Sequence, residues 1–69
     1  MKMNKEMKMK NYTFTRDLNL GIVQISVKRG DIVTEKNGSF IYNNQKYDNT
    51  RDFQIALEKG WLVDSEKFV

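Results

Sequence analysis

The chain has 69 residues and a formal net charge of +3, with 12 Lys and Arg against 9 Asp and Glu, and it contains no His, Cys or Pro. A chain of this length forms one small domain, whose core is close to the lower limit for independent stability. Because Cys and His are absent, disulfides, thiolate zinc sites, thiol nucleophiles and imidazole bases are excluded.

The excess positive charge lies at the amino terminus. Residues 1–10 carry four Lys, one Glu and all four Met, whereas residues 11–69 carry eight basic and eight acidic side chains and are formally neutral. The first ten residues are too polar for a membrane span and lack the apolar run of a signal peptide. They are therefore predicted to form either a solvated terminus or an arm that becomes ordered on a partner.

Extended segments follow the arm. The most regular alternation of apolar and polar residues lies at 22–28, after a segment at 16–21 that is predicted to be a loop. An Asn-Gly pair at 37–38 predicts a type I′ hairpin turn, because both positions tolerate positive φ. A second tight turn is predicted at Asn43-Asn44. The predicted strands are 12–15, 22–28, 32–36, 39–43 and 45–47.

A short helix is predicted at residues 51–59. Phe53, Ala56 and Leu57 fall on one face of it. Gly60 is placed to end the helix in the left-handed conformation, and Trp61 to fold back as a plug at the end of the core.

The predicted domain covers residues 11–63 and ends with an extended segment at 61–63, followed by a polar tail at 64–69. Small antiparallel sheets of this length gain stability by curling and by packing a helix against the open end. The predicted fold class is therefore mainly β: a small SH3-like β-barrel of five to six short strands with one short helix near the C-terminus. A β-grasp-like α+β sheet is the alternative.

Residue patterns of catalysis and metal binding are missing from the sequence. The Gly residues stand singly at turns and form no phosphate-binding run. Asp48 and Asp52 are better explained by the start of the helix than by acid–base chemistry, and residues 31–35 lack the ligand spacing of a calcium loop. We expect no enzymatic activity, no cofactor, no metal and no small-molecule substrate.

Aromatic and basic residues are mixed on the predicted meander, at Phe40, Tyr42, Lys46 and Tyr47. Small barrels that bind single-stranded nucleic acid use such mixtures. A domain this small must bury most of its large side chains, however, and its neutral body lacks the clustered cations that phosphate binding needs. Nucleic-acid binding is therefore the less favoured interpretation.

Three features occur together between residues 27 and 63: a Gly-Asp-hydrophobic strand start at 30–32, the Asn-Gly turn at 37–38 and a helix that ends in Gly-Trp-Leu at 60–62. This combination resembles a domain of small tailed-bacteriophage virion proteins. Two positions depart from that pattern. Asn44 stands where the second hairpin turn usually carries Gly, and Asp52 stands where Gly often follows the first Arg of the helix.

The resemblance implies a non-enzymatic, capsid-associated decoration or reinforcing module that docks on the major capsid protein or a neighbouring virion subunit. Its expected location is the virion or the host cytoplasm, without secretion or membrane association. Docking would protect the open edges of a small sheet and add buried area. The alternatives are a nucleic-acid-binding or host-takeover regulator and a stoichiometric inhibitor of a host or defence protein. The residues expected to contact the protein partner, through the arm and the sheet, are Met3, Met7, Met9, Lys10, Tyr42, Tyr47, Arg51 and Phe68.

Overall fold

The structure is a computed structural model that describes residues 9–68. In this range the chain forms seven strands, one α-helix and one 3₁₀ helix, which confirms the prediction of a mainly β domain with a short helix near the C-terminus. The elements are β1 (Met9–Phe14), β2 (Leu18–Leu20), β3 (Ile25–Val27), β4 (Ile32–Lys36), β5 (Ser39–Tyr42), β6 (Gln45–Tyr47), α1 (Arg51–Lys59), β7 (Leu62–Asp64) and the 3₁₀ helix (Ser65–Lys67).

The strands form two antiparallel sheets. The larger has the order β6-β5-β4-β1-β7, and the smaller is the β2–β3 hairpin. Strands β4 to β6 form a meander. β1 lies between β4 and β7, so the first and the last strands of the described residues pair with each other. The order places β6 and β7 at opposite edges of the large sheet. It is compatible with the predicted SH3-like barrel, but the barrel is not closed by a ladder between these two strands.

The β2–β3 hairpin differs from the prediction. Residues 18–20 were expected in a loop and form β2, and the strand expected at 22–28 is limited to β3. The reason is a turn at Gln24, which has a φ of 61° and whose N–H donates to the Leu20 carbonyl at 2.7 Å. This turn reverses the chain, so that Leu20 pairs with Ile25. The first part of segment 22–28 is therefore a turn, although its apolar and polar residues alternate as they do in a strand.

Both predicted tight turns of the meander are confirmed. Asn37 and Gly38 have φ values of 53° and 84°, and Asn43 and Asn44 have φ values of 54° and 67°. Asn is one of the few residues other than Gly that enters the left-handed region readily. The departure from the phage-domain pattern at Asn44 therefore leaves the hairpin intact.

The core lies between the inner face of the large sheet, the β2–β3 hairpin and α1. Its centre is an aromatic pair, in which the rings of Phe40 and Phe53 stack with centroids 4.5 Å apart and planes 15° apart. Tyr12 and Tyr47 extend this cluster at ring distances of 6.1 Å and 6.2 Å. The buried apolar residues are Phe14, Leu20, Val27, Val33, Phe40, Phe53, Ala56 and Leu62.

The two ends of the predicted domain extend further than expected. β1 begins at Met9, which pairs with Lys36, so the last two residues of the predicted arm belong to the sheet. The remaining arm residues, 1–8, lie outside the described range. At the other end, Asp64 closes β7, and its Oδ1 accepts a hydrogen bond from the Glu66 N–H at 3.0 Å at the start of the 3₁₀ helix. The predicted tail thus begins with ordered structure.

The end of α1 follows the prediction. Gly60 has a φ of 78°, its N–H donates to the Leu57 carbonyl at 3.2 Å, and the Trp61 N–H donates to the Ala56 carbonyl at 2.9 Å. This pair of bonds is the Schellman motif, which satisfies carbonyls that a helix end leaves unpaired. Trp61 then packs against the core.

Gly60→Ala tests this helix end. A Cβ at Gly60 would meet no atom within 4 Å, so its cost comes from the left-handed backbone alone. We expect a loss of about 1 kcal/mol in the free energy of unfolding, measured by urea denaturation. Gly21→Ala is the matched control, because Gly21 has equal space and no positive φ. Equal effects of the two substitutions would contradict the role of Gly60.

Candidate docking surface

The large sheet has an inner face on the core and an outer face turned away from α1. In β4, β5 and β7 the buried core residue has an apolar neighbour in the chain. Because successive side chains of a strand point to opposite faces, each of these neighbours lies on the outer face. They are Ile32, Ile41 and Val63, which we refer to as the outer apolar strip.

The ladder registers place Ile32 and Ile41 as neighbours on this face and Val63 one strand further, beyond the covered Thr13. Thr13 of β1 pairs with Ile32 on one side and with Val63 on the other. Ile41 pairs with Thr34, the next outward residue of β4 after Ile32, and diagonal neighbours of this kind are within reach of each other. Ile32 is 55% exposed, whereas Ile41 and Val63 are half-buried.

Met9 continues the same face along β1. It is 61% exposed and pairs with Lys36 at the far end of the ladder. Single exposed apolar side chains are common on proteins, but a contiguous set on one sheet face is typical of an interaction surface. The outer face is therefore the candidate site of this chain.

Two lysines stand beside the outer apolar strip. Lys36 pairs with Ser39, and Lys46 pairs with Ile41, so both lie on the outer face on either side of β5. Between them is an open groove, lined by Lys36, Asn37, Ser39, Ile41 and Lys46. Asp48 lies at one end of the groove, where its Oδ1 accepts a hydrogen bond from the Ser39 hydroxyl at 2.7 Å and lies 3.7 Å from the Lys46 Nζ. The serine hydroxyl, with the lysine charge, lowers the pKa of Asp48.

The C-terminal segment covers another part of the outer face. The hydroxyls of Thr13 and Ser65 share a hydrogen bond of 2.7 Å, and Thr13 is only 3% exposed. Further along, the Arg29 guanidinium lies 5.1 Å from the centre of the Phe68 ring. The 3₁₀ helix thus covers Thr13 near the end of β1 and leaves Ile32 exposed.

The structure places two of the expected contact residues at the start of β1, on opposite faces. Met9 lies on the outer face. The Lys10 Nζ lies 3.3 Å from the Asp64 Oδ2 and 5.4 Å from the centre of the Tyr12 ring. The hydrogen bond to Asp64, with the negative charge nearby, raises the pKa of Lys10. Lys10 therefore has a partner within the domain.

The other expected contacts do not share one surface. Tyr42 and Tyr47 are half-buried and pack against the core on the inner face. Arg51 is exposed at the start of α1, and Phe68 lies against Arg29. Met3 and Met7 lie outside the described residues. Of the eight residues, only Met9 is placed on the outer face by the strand registers, at the opposite end of the β1–β4 ladder from Ile32. The residues of the strip itself were not among the expected contacts.

Tyr42 predicts a dependence of stability on alkaline pH. Its hydroxyl donates to the Asp31 Oδ2 at 2.7 Å, and this bond, with burial, raises the pKa of Tyr42 above its usual 10.0. A group whose pKa is raised by folding contributes stability below its ordinary pKa and loses that contribution as the pH rises through the raised value. We expect the urea midpoint to fall as the pH rises above about 10, and to fall less in Tyr42→Phe. An equal fall in both proteins would contradict this.

Trp61 marks a second, smaller feature. It is half-buried at the end of α1, and the Arg16 guanidinium and the Lys59 ammonium lie 5.4 Å and 5.5 Å from its ring centre. The Thr15 hydroxyl donates to the Gly60 carbonyl at 3.0 Å beside it. Cations at this distance stabilise the ring by cation–π attraction.

Over residues 9–68, no group of three or more acidic, His or Cys side chains is arranged to hold a metal ion. The same residues include no helix with both the length and the apolar character that crossing a bilayer requires.

Comparisons of the chain with models of protein families, with curated proteins and with solved structures found no match in any of the three. The resemblance to a phage virion domain therefore stays a prediction, as do the functions that it implies.

Proposed function

We propose that this chain is a non-enzymatic docking module that seats the outer face of its sheet on a larger protein. The observation that carries the proposal is the outer apolar strip, in which Ile32 is 55% exposed next to Ile41 and shares the outer face with Val63. Full burial of an aliphatic side chain contributes roughly 1.5–3 kcal/mol. Covering the strip with a partner would therefore contribute part of this free energy to binding.

We further propose that the partner is a capsid or other virion subunit, which the module decorates or reinforces. The support for this is the sequence pattern at 27–63 and a composition without His or Cys, which leaves few routes to catalysis. A domain with a small core also gains more from a large partner than a large domain does. The arm at residues 1–8 is proposed to contribute to the same contact.

Ile32→Thr tests the docking surface. Threonine keeps the β-branched shape that suits a strand and removes apolar area. We expect the Kd for the partner to rise about tenfold, which corresponds to about 1.4 kcal/mol. The untagged full chain would be co-expressed with the structural proteins encoded by the same genome, particles purified on a density gradient, and the 8.2 kDa band quantified relative to the wild type.

Ile22→Thr is the matched control. Ile22 is also an exposed isoleucine, at 47%, but it lies in the turn of the β2–β3 hairpin and away from the outer face. Particle binding should survive this change. Loss of binding in both variants would argue against the outer face, and so would retention in both. A chain that starts at Met9 keeps all of β1 and tests the arm separately.

Trp61 gives the nucleic-acid alternative a specific basis, because an aromatic ring beside two cations is the kind of platform on which bases stack. It is the only Trp of the chain, so its fluorescence reports directly on this site. Quenching by oligo-dT that is reversed by salt would favour the alternative. Unchanged fluorescence at low salt would exclude it.

A further inference from the structure

We propose that the outer face is specific for an acidic partner: an extended protein segment in which aliphatic side chains cover the strip and carboxylates meet Lys36 and Lys46. This inference rests on the proposed docking function and names the chemistry of the partner. It is carried by the juxtaposition of the apolar strip with the groove between the two lysines.

The spacing of the lysines suits this arrangement. They lie on β4 and β6, on either side of β5, and are offset by two residues along the strands, so their backbones are about 12 Å apart. Both side chains rise from the outer face, and both line the groove above Ser39 and Ile41. A carboxylate in this groove would be within reach of both ammonium groups while the neighbouring residues of the same segment contact Ile41 and Ile32.

The positive charge of Lys36 and Lys46 is only partly balanced by acidic side chains of the described residues. Among the described residues, lysine ion pairs are formed by Lys10 with Asp64 and by Lys46 with Asp48. Lys36 is thus available to a partner. The Lys46–Asp48 pair is long, at 3.7 Å, and both side chains are mostly exposed, at 67% and 80%. Such pairs are weak in water, so a partner carboxylate can compete with Asp48 for Lys46.

Other occupants fit this surface less well. A second copy of the chain, facing the first across the strip, would bring two sets of lysines together, and like charges at an interface oppose association. Nucleic acid would satisfy the lysines but leave the apolar strip without a matching surface. Its phosphate backbone also calls for more cations than this face carries. An acidic and aliphatic protein segment matches both the charge and the apolar part.

The test uses a defined probe, an N-acetylated nine-residue peptide amide of alternating Glu and Val, with a Gln-and-Val peptide as its control. Each is titrated into the ¹⁵N-labelled full chain, and amide chemical shifts are recorded. We expect shifts confined to β4, β5, β6 and Val63, and at least tenfold weaker binding by the Gln peptide.

The combined Lys36→Glu and Lys46→Glu variant should also bind the acidic peptide at least tenfold more weakly. Lys28→Glu, at an exposed lysine after β3, should stay within twofold of the wild type.

The outcomes separate the two proposals. If Ile32→Thr weakens particle binding but the Gln peptide binds as well as the acidic one, docking stands and the acidic specificity is overturned. Shifts centred on Trp61, or stronger binding of oligo-dT at the two lysines, would also overturn it. Lys36→Gln with Lys46→Gln provides a milder second variant, which should lower the affinity by a smaller factor. If Ile32→Thr leaves particle binding unchanged while the acidic peptide binds as expected, the docking proposal fails on its own.

Discussion

Phe53→Ala is expected to abolish the folded state. Phe53 is fully buried on α1, stacks on Phe40 at 4.5 Å and lies 6.2 Å from the Tyr47 ring. Removing a buried Phe side chain costs about 3–5 kcal/mol, because its contacts are lost and a cavity remains. The whole stability of a domain of this size is about 3–5 kcal/mol. Circular dichroism should show loss of the cooperative thermal transition.

Two further variants make this result interpretable. Phe68→Ala removes the same side chain at a half-buried position against Arg29, and it should cost no more than about 1 kcal/mol. Phe53→Leu fills part of the cavity and should restore a measurable transition at a lower midpoint. A cooperative thermal transition of Phe53→Ala near the wild-type midpoint would contradict the packing of α1 against the sheet described above.

Asp52→Ala is expected to detach the β2–β3 hairpin from the helix. The Asp52 Oδ2 accepts hydrogen bonds from the N–H groups of Ile22 and Val23 at 2.8 Å and 3.2 Å. Hydrogen bonds to a charged group contribute roughly 1.5–3 kcal/mol, and the carboxylate also stabilises the first turn of α1. We expect a loss of about 2 kcal/mol in the free energy of unfolding. Amide exchange at Ile22 and Val23 should accelerate more than exchange elsewhere.

Glu58→Ala is the control for Asp52, since Glu58 is an exposed acid on the same helix with no hydrogen bond to the hairpin among the described residues. Equal losses in the two variants would show that helix charge, rather than the contact with the hairpin, determines the effect. Asp52 is also one of the two positions at which the sequence departs from the phage-domain pattern. The link from helix to hairpin is therefore a feature of this chain and not one that the resemblance could supply.

The meander and the helix end could be predicted because their causes are local. Asn and Gly tolerate positive φ, and they occupy both turns, at Asn37-Gly38 and Asn43-Asn44. Gly60 ends the helix in the left-handed region for the same reason. The turn at Gln24 could not be predicted in this way. Gln has no particular tendency to positive φ, and its turn is fixed by the contact between the hairpin and Asp52.

The candidate site was missed, although a signal was present. In β4, β5 and β7, two apolar residues stand next to each other, and one of each pair must point away from a one-sided core. The expected contacts were instead methionine, aromatic and basic side chains. Tyr42 and Lys10 have partners within the domain, in Asp31 and Asp64, because distant segments meet in the fold. Such pairings depend on strand order, which residue patterns do not determine.

The central position of β1 has a consequence for how the domain is made. β1 is synthesised well before its partner β7, and the Thr13–Ser65 bond joins residues 52 positions apart. Closing so long a loop is entropically costly, and sheets that depend on distant pairings form slowly. The nascent chain can form the meander early, but the large sheet gains β7 only when residues 62–64 have left the ribosome. Until then, the edge of β1 that β7 will cover is open to chaperones, proteases or a neighbouring chain.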